Sequence, residues 1–139
     1  VGTVTAALAI GGSGSPPLTS PNQSELWDGV TWTAAGSLPV NVYGNAGSGT
    51  STLSIAMGGL PPSTDTDANM RSTQLWNGAS WSEIAEMANS RASAQGTGSA
   101  VAGFVIGGYN PADAPGYDNE ANKTEEFTVD LSNKTITTS

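Results

Sequence analysis

Apolar positions in this chain come in short bursts separated by long polar stretches. Three bursts share a shape: AALAIGG at 6–12, LSIAMGG at 53–59 and GFVIGG at 103–108, each closed by a glycine pair. The pairs Gly11–Gly12, Gly58–Gly59 and Gly107–Gly108 lie 47 and 49 residues apart. After each comes a Pro/Ser/Asn/Asp-rich stretch, then a short segment ending in an aromatic (SELW, TQLW, TEEF), which places Trp27, Trp76 and Phe127 in step. A turn follows, then a further apolar anchor: Trp32, Trp81 and, more loosely, Ile136. A small-residue-rich segment precedes the second and third glycine pairs, VNVYGNAGSG at 40–49 and SRASAQGTGS at 90–99. The chain therefore reads as one unit of about 48 residues, repeated, with up to four short extended segments in each.

Strands explain these segments better than helices. LWDGVTW and LWNGASW each place an Asp-Gly or Asn-Gly pair between two tryptophans, the composition of a hairpin with a type I′ turn. The flanking indoles then face each other across the hairpin, a contact worth roughly 0.2–1 kcal/mol. Only WSEIAEMANSRASA at 81–94 has helix-like spacing, and it falls where each unit needs its fourth strand and its link to the next. A period of 40–50 residues with several strands per unit marks the blade of a β-propeller. The fold expected is all-β: about three four-stranded blades, at 1–39, 40–89 and 90–139.

The order of apolar run, Gly-Gly, long loop, aromatic, turn, Trp and then Ser-Arg resembles the kelch repeat over essentially the whole chain. The resemblance implies that the glycine pairs end the second strand, that Trp27, Trp76 and Phe127 lie in the third, and that Trp32 and Trp81 open the fourth. Arg91 matches a first-strand arginine of that family, whereas the preceding unit reads PVNV, and VDLSNKT replaces a two-residue turn in the third unit. In style the phrases are similar to kelch-like arrays in tail and fibre proteins of marine bacteriophages. Gly2 aligns with Gly49 and Gly98, so the first blade is expected to lack its innermost strand. Three blades do not close a ring, which typically needs four to eight. The rest of a longer chain, or self-association with further copies, is expected to complete it.

Composition narrows the chemistry. Leu, Ile, Val and Phe make only 23 of 139 residues, so the interior has to be thin β-layers filled by small residues and tryptophan. Four basic residues against twelve acidic ones give a net charge of −8, which argues against nucleic acid and anionic membrane surfaces as partners. No window approaches a membrane-spanning helix, so membrane insertion is not expected. With no His and no Cys, Ser–His–Asp and Cys–His catalysis and His-based metal sites are absent, and no cofactor is implied. SELWDGVTW comes within one residue of the Asp-box turn of sialidases, a structural motif in any case.

The loops between second and third strands differ in sequence while their frames repeat, the usual arrangement of a binding surface on a rigid scaffold. In one loop Asp65, Asp67 and Asn69 alternate as the first ligands of a calcium loop would, although Met70 and Trp76 stand where Gly and Glu would be needed. Solvated acidic loop and divalent-cation site are the two readings. Tyr109, Asp113, Tyr117, Asp118 and Glu120 are the candidate contacts of the third loop. The expected function is a non-enzymatic structural and interaction module of a virion tail, fibre or other extracellular appendage, binding protein or glycan. The alternative is a carbohydrate-binding propeller domain of a secreted or cell-surface protein.

Overall fold

The computed structural model describes residues 1–12, 22–61, 70–110, 123–130 and 135–137. They form three antiparallel four-stranded sheets, each taken from one stretch of chain with its strands in sequential order. The first holds β1 (Gly2–Thr3), β2 (Ala6–Ile10), β3 (Ser24–Trp27) and β4 (Trp32–Ala34). The second holds β5 (Ala46–Gly49), β6 (Ser54–Met57), β7 (Thr73–Trp76) and β8 (Trp81–Glu83). The third holds β9 (Gln95–Gly98), β10 (Ala102–Ile106), β11 (Thr124–Asp130) and β12 (Thr135–Thr137). Residues 81–94 contain β8 and an extended link, with no helix.

Two expectations need correction. The first sheet does have a first strand: Gly2 and Thr3 pair with Ala7 and Ala6, and Val1 and Leu8 exchange backbone hydrogen bonds of 2.8 and 2.9 Å. Two residues suffice because the tight turn that follows is held by its own side chain. There the hydroxyl of Thr3 accepts the amide of Ala6, as Thr50 accepts that of Leu53 and Ser99 that of Ala102, at 3.1–3.2 Å. The glycine before each of these hydroxyls has φ near +100°, and a Cβ there would lie 2.3–2.5 Å from the carbonyl oxygen across the turn. Gly2, Gly49 and Gly98 are thus required for closing the hairpin.

The second correction concerns the tryptophan hairpins. Trp27 pairs with Trp32 and Trp76 with Trp81, leaving four-residue loops rather than type I′ turns. Only the glycines have positive φ, +98° at Gly29 and +93° at Gly78. Asp28 instead folds its carboxylate back to accept the amides of Val30 and Thr31, both at 2.8 Å, and Asn77 Oδ1 does the same for Ala79 and Ser80. A short polar side chain that caps the loop removes the need for a left-handed Asp or Asn. The facing indoles stand 5.4 and 5.5 Å apart at tilts of 39° and 42°.

The sheets stack face to face with one polarity. Leu8, with Ile10 and Leu26 beside it, packs against Ala56, Trp76 and Trp81 of the second sheet, with Leu38 of the link. The opposite face of the second sheet, Ile55 and Met57, packs against Val105 and Phe127 of the third, with Met87 of the next link. Leu38 and Met87 are held alike, their amides donating to Asn22 and Arg71 carbonyls at 2.7 and 2.8 Å. The first strands β5 and β9 approach so closely that a Cβ on Gly96 would lie 2.4 Å from the Gly47 carbonyl oxygen. Bulk is therefore placed in the middle of each sheet, and small residues fill the edge where the sheets converge.

Candidate functional site

Of the residues singled out for binding, Asp65, Asp67, Asn69, Asp113, Tyr117, Asp118 and Glu120 lie outside the described residues. So does the suggested calcium loop, and no group of three or more acidic side chains that could hold a metal occurs among the described residues. Tyr109 is half-buried, and its backbone forms a two-way bridge with Ala92 at 2.9 and 3.0 Å, as Leu60 does with Tyr43. The glycine pairs directly follow β2, β6 and β10. Trp27 and Trp76 each end a third strand and donate Nε1 to a turn carbonyl at 2.9 Å, that of Val4 and of Ser51. Trp32 and Trp81 open the fourth strands, and Phe127 lies inside β11, buried.

What the structure does assemble at the end of the sheets bearing these loops is a polar clamp. Each third strand carries Glu or Gln at its second position: Glu25, Gln74 and Glu125. Gln74 Oε1 accepts the amide of Val40 at 2.9 Å and so fixes the link between the first and second sheets. Glu125 accepts the amides of Ala88 and Asn89 at 2.7 and 3.1 Å, and Nδ2 of Asn89 at 3.1 Å. It also meets the guanidinium of Arg91 at 2.6 Å. Arg91 is fully buried, and its other terminal nitrogen donates to the carbonyls of Gly107 and Lys123 at 2.8 and 3.2 Å. The second unit has Val42 in the place of Arg91, and accordingly neutral Gln74 in the place of Glu125. In the second and third units, cation and carboxylate thus appear together and are absent together, as a buried charge requires, while the first unit's Glu25 is exposed.

Burial pushes the Glu125 carboxyl up, yet the donors from Asn89, Ala88 and Arg91 outweigh it and leave the pKa below the usual value. Asp28, fully exposed, is also held below its ordinary value, by the amides of Thr31 and Val30 foremost. A cleft of about 210 Å³ opens beside the clamp, lined by Glu86, Met87, Ala88, Glu125, Glu126 and Phe127 among others. Of the carboxylates of this cleft, Glu125 is engaged by four donors and holds the link, and Glu86 pairs with Arg71 at 3.1 Å. Sequence reasoning missed the clamp. The signal was present in the second letter of SELW, TQLW and TEEF, an amide or carboxylate repeated in register with the aromatics.

Among the described residues, no helix is long and apolar enough to cross a membrane. No protein-family model matches this chain, and no curated protein matches it either.

Proposed function

We propose that the chain is a run of three kelch-like propeller blades serving as a non-enzymatic structural and interaction module, a component of a virion tail, fibre or comparable extracellular appendage. The observation that carries this reading is the repetition of sheet, polarity and link: the same hydrogen bonds tie Leu38 to Asn22 and Met87 to Arg71, 49 residues on. Chain invested in an identical frame, with connections of differing sequence leaving the same end after Ile10, Met57 and Ile106, suits a scaffold that presents loops. The absence of His and Cys, and the engagement of Glu125 in a structural clamp, weigh against catalysis. The partners proposed are protein surfaces and glycans.

The test exchanges the 62–69 and 111–122 segments for Gly-Ser linkers of equal length and compares both variants with the parent chain on a glycan array and against candidate appendage proteins. Binding by the parent that either exchange abolishes supports presentation through the loops. Binding that survives both exchanges removes those two loops from the account, and turnover of a bound glycan overturns the non-enzymatic reading.

A further inference from the structure

The two ends of the stack each show a face whose counterparts are buried elsewhere in the same chain. Along β10 burial alternates strictly, with Gly103 and Val105 toward the second sheet and Ala102, Phe104 and Ile106 outward. Phe104 and Ile106 are 40% and 45% exposed, while Ile55 and Met57, at the same places in the second sheet, are 0% and 1%. At the other end Trp32 is 50% exposed where Trp81 is 8%.

The middle of the chain shows what covers each kind of face. The face of Leu8 and Ile10 receives Ala56, Trp76 and Trp81. The indole of Trp81 also crosses the joint as a donor, Nε1 to Ser24 Oγ at 3.0 Å. Ser24 opens β3 opposite Ile10, and Thr124 opens β11 opposite Ile106. The uncovered Phe104–Ile106 face therefore carries a hydroxyl in the place of Ser24. The uncovered face at the opposite end carries, in Trp32, an indole in the place of Trp81, and that N–H has no hydrogen-bond partner among the described residues. Both halves of one joint are present at opposite ends of the same molecule.

We propose that a second copy of this chain docks head to tail, its Trp27–Trp32 face covering the Phe104–Ile106 face of the first and Trp32 Nε1 donating to Thr124 Oγ1. The same contact made reciprocally closes a two-copy ring of six sheets. This inference rests on the blade reading above, and six lies within the four to eight blades that propeller rings use. The contact is heterologous, and such a contact closes rather than grows only where its rotation completes a ring. One position departs from the pattern: Glu126 stands where Leu26 and Leu75 stand in the other sheets, both only partly covered. Two copies each carrying −8 also repel, so association strengthens with salt.

The experiment measures mass against concentration for the intact chain and for Trp32→Glu, Ile106→Glu and Glu126→Leu, with circular dichroism confirming that each variant folds. The parent is expected to be two copies at about 100 µM. Either charged variant weakens the dissociation constant by roughly 100-fold or more, and Glu126→Leu tightens it about tenfold. Mixing Trp32→Glu with Ile106→Glu restores a pair held by one intact contact, because the second contact then carries both glutamates. A dimer indifferent to both charged variants, failure of the mixture to pair, or mass growing past two copies overturns the proposal. So does a monomer at about 100 µM in about 0.5 M salt. If that monomer still shields Trp76 and Trp81 from quencher, the docking fails and the stacked blades stand; if Trp76 is exposed, the blade reading fails as well.

Discussion

The clamp at Arg91 and Glu125 makes a quantitative prediction, because the second unit already shows the neutral form of the same device. Glu125→Gln leaves the guanidinium of Arg91 fully buried with its carboxylate gone, while its bonds to the carbonyls of Gly107 and Lys123 persist. Removing one member of a buried pair costs ~3–5 kcal/mol. The lower end applies here, because the Glu125 side chain is 19% exposed and the two carbonyl bonds remain. Arg91→Val alone strands the carboxylate with three neutral donors and leaves a void, and it is expected to cost about 2 kcal/mol. The double variant copies Val42 with Gln74, and its cost is expected to be about 1–2 kcal/mol rather than the sum. Equilibrium urea denaturation of the four proteins gives the cycle, and at roughly 4 °C per kcal/mol the thermal midpoints check it. Additivity within about 0.5 kcal/mol would show that the two residues do not act as a pair and would refute the reasoning.

Three further outcomes follow from the same geometry. Gly58→Ala places a Cβ 2.4 Å from the Arg91 carbonyl oxygen at φ +64°, whereas at Gly12, φ +135°, a Cβ meets nothing within 4 Å; the first is expected to lower stability by about 3 kcal/mol and the second by about 1, read by denaturation. Trp81→Phe removes the bond to Ser24 and is expected to cost about 1–2 kcal/mol, against less than about 0.5 for Trp32→Phe measured on dilute protein. Because Glu125 has a lowered pKa when folded, its contribution is present above the unfolded carboxylate range, near about 4.3, and is lost as pH falls through the folded value. Melting temperature should thus fall toward acid more steeply for the parent than for Glu125→Gln, and parallel curves would contradict this.

The frame was legible in the sequence because the repeat writes it out: glycine pairs and aromatics recur at near-constant spacing, the glycine pairs follow strand ends, and the tryptophans mark strand ends and facing pairs. The loop conformation was not legible from Asp-Gly and Asn-Gly alone. Those dipeptides suit a type I′ turn, yet Asp28 and Asn77 also accept two amides each, and the side-chain route prevailed. The clamp was hidden for a different reason. Glu125 resembles any surface carboxylate in sequence, and its role depends on a link arriving 36 and 37 residues earlier in the chain at Asn89 and Ala88. The inequality between Trp32 and Trp81 could not be read from their parallel phrases, since it arises from which neighbour stands beyond each sheet.

The central claim is that equivalent residues in successive sheets differ only by what covers them, and tryptophan emission tests it most directly. Four proteins, each retaining a single tryptophan with the others replaced by phenylalanine, are compared for emission maximum and acrylamide quenching at nanomolar concentration. The account predicts that Trp76, 1% exposed, and Trp81, 8% exposed, emit as shielded indoles, while Trp32, 50% exposed, is readily quenched and Trp27 lies between. Equal quenching of Trp32 and Trp81, or a Trp76 open to quencher, would contradict it.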